Sequence, residues 1–234
     1  MGVAAQPAWL LHARPFRERS RIVELFTQAN GRIAAVAHLK RGEEGLLQPF
    51  RPLLVGWRGR GELPTLSQCE AAAPAFSLQG RRNWCGLYLN ELLLRLLQRE
   101  DAHPQLFAHY GHVLTGLVES EAEAIWLRRF ERELLDALGY ALNLEADCVG
   151  AAIDPEVTYR WRAGQGFMPN STASEWNLRG RSIQMLARGE DADDPSVQRD
   201  QRTLMRQALD ELLEGKPLKS RQLFQPRMRN TKES

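Results

Sequence analysis

Near Gly80 the hydrophobic pattern of this 234-residue chain changes period, and no single type of layer can accommodate both patterns. Before it, apolar residues come in short runs broken by turn residues, the signature of strands. Trp9-Leu10-Leu11-His12-Ala13 is one run. Arg21 to Phe26 is a second, followed by Asn30-Gly31, a pair that favours a type I′ hairpin because both central residues need positive φ. Arg32 to Ala37 returns as its partner. Leu53 to Trp57 and Leu63 to Glu70 then flank a Gly59-Arg60-Gly61 turn. Five short strands with Gly-rich turns point to a small closed barrel.

After Gly80 the spacing becomes helical. The segment containing Trp84, Leu87, Tyr88, Leu92, Leu94, Leu96 and Leu97 is apolar on most sides, as a buried central helix would be. Residues 121–138 are amphipathic. Leu127, Phe130, Leu134 and Leu138 form the stripe, Arg128, Arg129, Arg132 and Asp136 take other faces, and Gly139 ends the helix. A second long helix runs from Pro195, capped by Asp194, to Glu214, with Val197, Leu204, Ala208, Leu209 and Leu212 inward. Between them, Val157 to Met168 reads as a hairpin around Gly164-Gln165-Gly166. The expected architecture is α+β with two domains: a β-barrel over residues 1–79, and a mainly α-helical domain with a small β-hairpin over residues 80–234.

Net charge is only +2 but unevenly placed. Residues 1–80 hold ten Lys/Arg against six Asp/Glu, residues 81–215 fifteen against twenty-two, and residues 216–234 six against one. A basic barrel and a basic C-terminal end flanking an acidic middle suggest a polyanionic partner. There is no run of eighteen apolar residues and no basic-then-apolar leader, so neither a membrane span nor a secretory signal is expected. Gly2 is not followed by the hydroxyl residue of a myristoylation site. The three scattered cysteines, Cys69, Cys85 and Cys148, suit a reducing cytoplasm and form neither a disulfide framework nor a four-thiolate zinc site.

The barrel segment carries Arg14, Arg17, Arg19, Arg21, Arg32, Lys40, Arg41, Arg51, Arg58 and Arg60, with Phe16, Phe50 and Trp57 among them. Cations for phosphates and aromatic faces for unstacked bases are how small barrels hold single-stranded nucleic acid. The same aromatics would equally serve as core, and the residues alone leave both readings open. Near the C-terminus, Gly215-Lys216-Pro217-Leu218-Lys219-Ser220-Arg221 places three cations on a tight turn. Gly215 stops the preceding helix, and Pro217 is suited to open a next, short one. Cations so fixed can meet a phosphate or carboxylate without first being ordered.

Catalytic patterns are missing. There is no Gly-x-Ser-x-Gly, no phosphate-binding Gly-rich loop with a Lys, and no His-Glu-x-x-His. His109 and His112 stand three apart but no third metal ligand accompanies them. The acidic run Glu190, Asp191, Asp193, Asp194 lacks calcium-loop spacing and reads as a solvated loop leading into the cap at Asp194.

Several segments, in order, resemble the bacterial RecO family of DNA repair proteins. They are Leu11 to Phe16, Phe26 with Gly31-Arg32, Leu47 to Phe50 with Pro52-Leu53-Leu54, Leu87 to Leu93, Arg129-Phe130-Glu131 with Leu138-Gly139-Tyr140, and Gly215 to Arg221. The resemblance implies an oligonucleotide/oligosaccharide-binding (OB-fold) barrel joined to a helical domain. It implies a cytoplasmic, nucleoid-associated, non-enzymatic mediator without cofactor that binds single- and double-stranded DNA and anneals complementary strands. Its implied partners are RecR, in many bacteria RecF, and the acidic, apolar C-terminal tail of single-strand-binding protein, so that RecA is placed on coated strands.

For this chain, the expected nucleic-acid residues are Arg14, Phe16, Arg17, Arg19, Arg32, Lys40, Arg41, Arg51, Arg58 and Arg60. The expected tail-binding residues are Arg128, Arg129, Lys216, Lys219 and Arg221. Two departures stand out. Where many relatives bring four cysteines to zinc, only Cys148 remains, so no structural zinc is expected. After Lys40-Arg41 the family's basic loop is replaced by Gly42-Glu43-Glu44-Gly45. A competing reading is an RNA-binding barrel with a helical interaction domain.

Overall fold

A computed structural model describes residues 2–39, 41, 43, 45–59, 61–120, 122–190 and 193–224. Five strands open the chain: β1 (Gly2–Phe16), β2 (Ser20–Thr27), β3 (Gly31–His38), β4 (Pro52–Arg58) and β5 (Thr65–Ala71). They close into a barrel in the order β1-β2-β3-β5-β4. One parallel pairing, Val36 with Thr65, joins β3 to β5. The long β1 closes the ring because its first half pairs with β4 and its second half with β2, Ala8 facing both Leu53 and Thr27.

Alternation along the strands divides the apolar residues between two cores. Ala8, Leu10, Val23, Leu25, Ala35, Leu53 and Val55 fill the barrel. Trp9, Leu11, Phe26 and Phe50 belong instead to the core of the helical region. Residues 8–11 therefore read as one unbroken apolar run because both of their faces are buried.

The Asn30-Gly31 turn differs from the I′ expectation. Residues 28–30 bridge the paired Thr27 and Gly31, and of the two turn residues only Gly31, at φ 63°, is left-handed. The Thr27 hydroxyl donates to the Gly31 carbonyl and accepts the Asn30 N–H, so a side chain secures this turn without a second positive φ. Gly31 is also held by space, since a Cβ there would lie 1.8 Å from the Asp101 carbonyl oxygen.

The helices are α1 (Gly80–Leu96), α2 (Pro104–Glu119), α3 (Glu123–Ala137), α4 (Gly180–Arg188) and α5 (Pro195–Leu212). Asp194 caps α5 by accepting the Ser196 N–H at 2.8 Å. The anticipated hairpin is β6 (Thr158–Arg162) with β7 (Gly166–Pro169), and β8 (Leu178–Arg179) adds a third strand on the far edge of β6.

α1 is the central helix. Cys85, Leu89, Leu92 and Leu93 on it are fully buried. Asn90, also buried, donates to the carbonyls of Leu10 and Leu11, next to a β1 bulge, and accepts the Tyr110 hydroxyl at 2.5 Å. A polar group in the core thus satisfies strand carbonyls that the bulge takes out of the ladder. Trp9 and Phe26 both pack on Phe107 of α2. The helices therefore cover the Thr27–Gly31 end of the barrel and leave the opposite end open.

α5 ends at Leu212 with Leu213 as its cap, and the left-handed residue that follows is Glu214, at φ 51°, one position before the expected Gly215, which comes next at φ 73° with its N–H on the Asp210 carbonyl. Pro217 does not open the next helix. A 3-10 turn begins at Lys219 and runs to Phe224. The Glu91 carboxylate accepts the N–H groups of Lys219 and Ser220, which sets that start two residues later. Among the described residues no helix is long and apolar enough to cross a membrane.

Candidate nucleic-acid interface and helical groove

The open end of the barrel gathers the loops that follow β1, β3 and β4. Arg14 lies exposed on β1, and Arg17 and Arg19 lie exposed in the three-residue link to β2. Arg17 sits at φ 55° with its guanidinium 5.1 Å from the centre of the half-buried Phe16 ring. The Leu39 N–H donates to the Arg19 carbonyl, and Ser20 Oγ pairs with His38 Nδ1 at 2.8 Å. These bonds bring the end of β3 against the Arg17–Arg19 link, and Arg41, two residues beyond Leu39, is exposed. The Val36 N–H donates to Pro64, drawing the β4–β5 connection to the same end, where Arg58 is exposed opposite Thr65. None of Arg14, Arg17, Arg19, Arg41 and Arg58 is ion-paired with a described acidic residue.

Other expected members of this face lie elsewhere. Arg32 is at the covered end, its side chain only 16% exposed. It pairs with Glu24 at 2.9 Å and donates from Nε to the Leu97 carbonyl at 3.0 Å, while Arg99 takes the other Glu24 oxygen. Glu24, a strand residue facing the helices, draws it there. Arg51 precedes β4 and donates to Gln48. Lys40 and Arg60 lie outside the described residues. Phe50 and Trp57 are core, 4% and 7% exposed, so of the three aromatic candidates Phe16 alone is at the open end.

His109 stacks on Phe130 and His112 meets Trp126 edge-on. Among the described residues no three His, Cys, Asp or Glu are grouped to hold an ion. Cys148 is exposed, and burial pushes the Cys85 thiol up to about 12.

A groove of about 580 Å³ opens in the helical region. α1 contributes Arg81 and Tyr88, α3 contributes Leu127, Arg128 and Glu131, α5 contributes Arg199, Arg202 and Arg206, and the terminal turn contributes Arg221 and Phe224. Trp176 and Glu175 complete the lining from the loop before β8. Glu131, 1% exposed, organises the floor. Arg128 grips both of its oxygens at 2.7 Å, and the Tyr88 hydroxyl donates to one of them at 2.7 Å. Burial pushes the Glu131 carboxyl upward, against the pull of Arg128 and Tyr88. Arg128 is therefore turned inward, not onto a free helix face.

Arg221 pairs with Asp210. Burial opposes its charge, but Asp210 and Tyr88 together outweigh that and hold the guanidinium protonated. Arg206 approaches Asp210 at 3.6 Å, and Arg81 approaches Glu123 at 3.7 Å while lying over the Phe224 ring. Arg199 and Arg202 have no ion-pair partner among the described residues. The groove thus joins an apolar, aromatic lining to uncommitted guanidinium groups, a combination suited to an apolar ligand carrying carboxylates.

Of the residues expected here, Arg128 and Arg221 line the groove. Arg129 instead stacks on Trp126 at 4.9 Å. Lys216 is exposed and paired with Glu214, and Lys219 is exposed with its backbone N–H on Glu91, so neither lysine lines the groove. Sequence reasoning missed Arg81, Arg199, Arg202, Arg206, Trp176 and Phe224. The spacing of Arg199, Arg202 and Arg206, three then four residues apart, does mark one helix face and was a usable signal.

Comparison with known proteins agrees along nearly the whole length. The family model described as "Recombination protein O N terminal" matches residues 1–75, and "Recombination protein O C terminal" matches residues 77–222. The chain is 40% identical over 228 residues to the DNA repair protein RecO of Halorhodospira halophila, covering 95% of this chain and 97% of the relative. It is 43% identical over 230 residues to that of Stutzerimonas stutzeri, covering 98% and 95%. To that of Alkalilimnicola ehrlichii it is 44% identical over 229 residues, covering 95% and 91%. The chain belongs to the RecO family.

Proposed function

We propose that this member of the RecO family is a non-enzymatic DNA repair and recombination mediator with two binding surfaces. Residues 1–79 bind DNA at the open end of the barrel, through Arg14, Arg17, Arg19, Arg41 and Arg58, with Phe16 as a stacking face. Residues 80–234 take the acidic, apolar C-terminal tail of single-strand-binding protein in the groove. Holding both brings complementary strands together for annealing and, with RecR and in many bacteria RecF, helps RecA load onto coated strands. Such a protein works in the cytoplasm, associated with the nucleoid.

The observation that carries this reading is the set of five arginines without described acidic partners around the one barrel end that the helices leave uncovered. Exposed cations there can follow a phosphate backbone without sequence preference. The groove adds the second half: Leu127, Trp176 and Phe224 suit apolar side chains, and Arg199 and Arg202 suit carboxylates. An RNA-binding module would need the first surface only.

The test is annealing of complementary DNA strands coated with the cognate single-strand-binding protein. The mediator reading expects acceleration that disappears when the coating protein lacks its C-terminal tail. Equal rates with and without the tail, or binding of RNA in preference to DNA, would sink it.

A further inference from the structure

One stripe of α1 carries Arg81, Trp84, Tyr88, Glu91 and Arg95, and the C-terminal segment lies along it. Arg95 donates to the Pro217 carbonyl at 3.4 Å. The Glu91 carboxylate accepts three bonds, from the Lys219 N–H at 2.9 Å, the Ser220 N–H at 2.7 Å and the Ser220 hydroxyl at 2.5 Å. Leu218, between these anchors, is 2% exposed in the helical core. Beyond them Arg221 enters the groove beside Tyr88, and Phe224 meets Trp84 edge-on and lies under Arg81. The fixed turn thus begins at the Glu91 carboxylate and ends as a wall of the groove.

We propose that Glu91 is a positioning residue for tail recognition: by holding the backbone of Lys219 and Ser220 it sets Arg221 and Phe224 as one wall of the groove. This rests on the tail-binding reading given above. Glu91 itself does not line the groove. Its part is to satisfy the free N–H groups at the start of the 3-10 turn, which would otherwise be left to water on a short segment with no helix of its own to stabilise it. Two stretches that characterise this chain, Leu87 to Leu93 and Gly215 to Arg221, are in this way the two halves of one latch. The two lysines of the turn are secondary to its backbone donors, since neither Lys216 nor Lys219 lines the groove.

The experiment compares wild type, Glu91→Gln, Arg221→Ala, Arg202→Ala and the two double variants that contain Glu91→Gln. Affinity for a fluorescent peptide with an acidic, apolar, carboxylate-ended sequence is read by anisotropy at fixed salt. Hydrogen exchange is read over residues 217–224 and over α5. Glu91→Gln should weaken the peptide about tenfold, as loss of a preorganised contact can. It should speed exchange at Lys219 and Ser220 while leaving α5 and binding of bare DNA unchanged. Adding Arg221→Ala should then cost little more, whereas adding Arg202→Ala should cost its full single-variant loss.

Unchanged peptide affinity in Glu91→Gln, or full additivity with Arg221→Ala, would overturn the positioning role. If wild type itself fails to bind the peptide, the tail-binding reading fails. The latch would then be decided by exchange alone, where unaltered protection at Lys219 and Ser220 would overturn it.

Discussion

The open barrel end and the helical groove are both rich in arginine, yet they hold their charges in opposite ways. At the barrel, Arg14, Arg17, Arg19, Arg41 and Arg58 stand exposed on loops and strand ends without described acidic partners. In the groove, Arg128 and Arg221 are largely withdrawn from water and committed to Glu131 and Asp210, and Arg199 and Arg202 stand free beside aromatic walls. Charges in open water act weakly one by one, are screened within about 8–10 Å, and bind a polyanion as a sum. Charges beside apolar walls act individually, because a ligand that reaches them is desolvated in the same step. One residue type therefore yields a sequence-tolerant surface in one place and a selective acceptor in the other.

The largest expected effect would erase the contrast altogether. Phe26 is a barrel residue, fully buried in the helical core against Phe107. Phe26→Ala should cost about 3–5 kcal/mol in urea unfolding, and DNA and peptide binding should fall together. Independent unfolding transitions for the two regions would show that the shared core does not couple them.

Next is Arg128→Ala, which separates structural from recognition charge. It leaves Glu131 buried with Tyr88 alone and should cost about 3 kcal/mol of stability. Burial already raises the Glu131 carboxyl, and without Arg128 it rises further above its unfolded value. The neutral form is then the stable one, so the deficit should shrink as pH falls and grow as pH rises through the folded value. Denaturation in mildly acidic and mildly alkaline buffer checks this; a deficit independent of pH would mean that Arg128 is not the counter-ion that matters.

The barrel half of the comparison is tested by salt. Replacing Arg14, Arg17 and Arg19 with Ala should lower the slope of log affinity against log salt by about 2 for a single strand, roughly 0.7 per lost phosphate contact. Peptide binding should be unchanged. The converse is Arg202→Ala, expected to weaken the peptide about tenfold and leave the DNA salt slope alone. If either variant moves the other surface's readout, the two surfaces are one.

The smallest effect concerns acid. Burial works against the Glu91 carboxylate, but bonds from Ser220 and Lys219 outweigh it and hold it below the ordinary glutamate range. Its contribution is therefore complete above the unfolded glutamate value and fades as pH falls through the folded one. Exchange protection at Lys219 and Ser220 should follow that course in wild type and be flat in Glu91→Gln.

Much of the frame was legible in local spacing. The five strand runs, the helical stripes and the Asp194 cap all depend on groups within a few residues of one another, where backbone geometry and side-chain period leave few choices. What spacing did not reveal is which side of a residue is buried. Phe50 looks the same as Phe16 until the helices pack on it, and Trp57 does so until the barrel closes around it. Arg32 looks the same as Arg14 until Glu24 and the Leu97 carbonyl claim it.

The groove was the least legible part, since its members come from α1, α3, α5 and the terminal turn. Helix period put Arg128 beside Leu127 and Phe130. That Tyr88 holds Glu131 across 43 positions, or Glu91 the backbone of Ser220 across 129, follows from no local rule. A charge's role is set by the partner that desolvates or neutralises it. In a folded chain that partner is chosen by packing between distant segments, whereas the elements themselves are chosen by their neighbours.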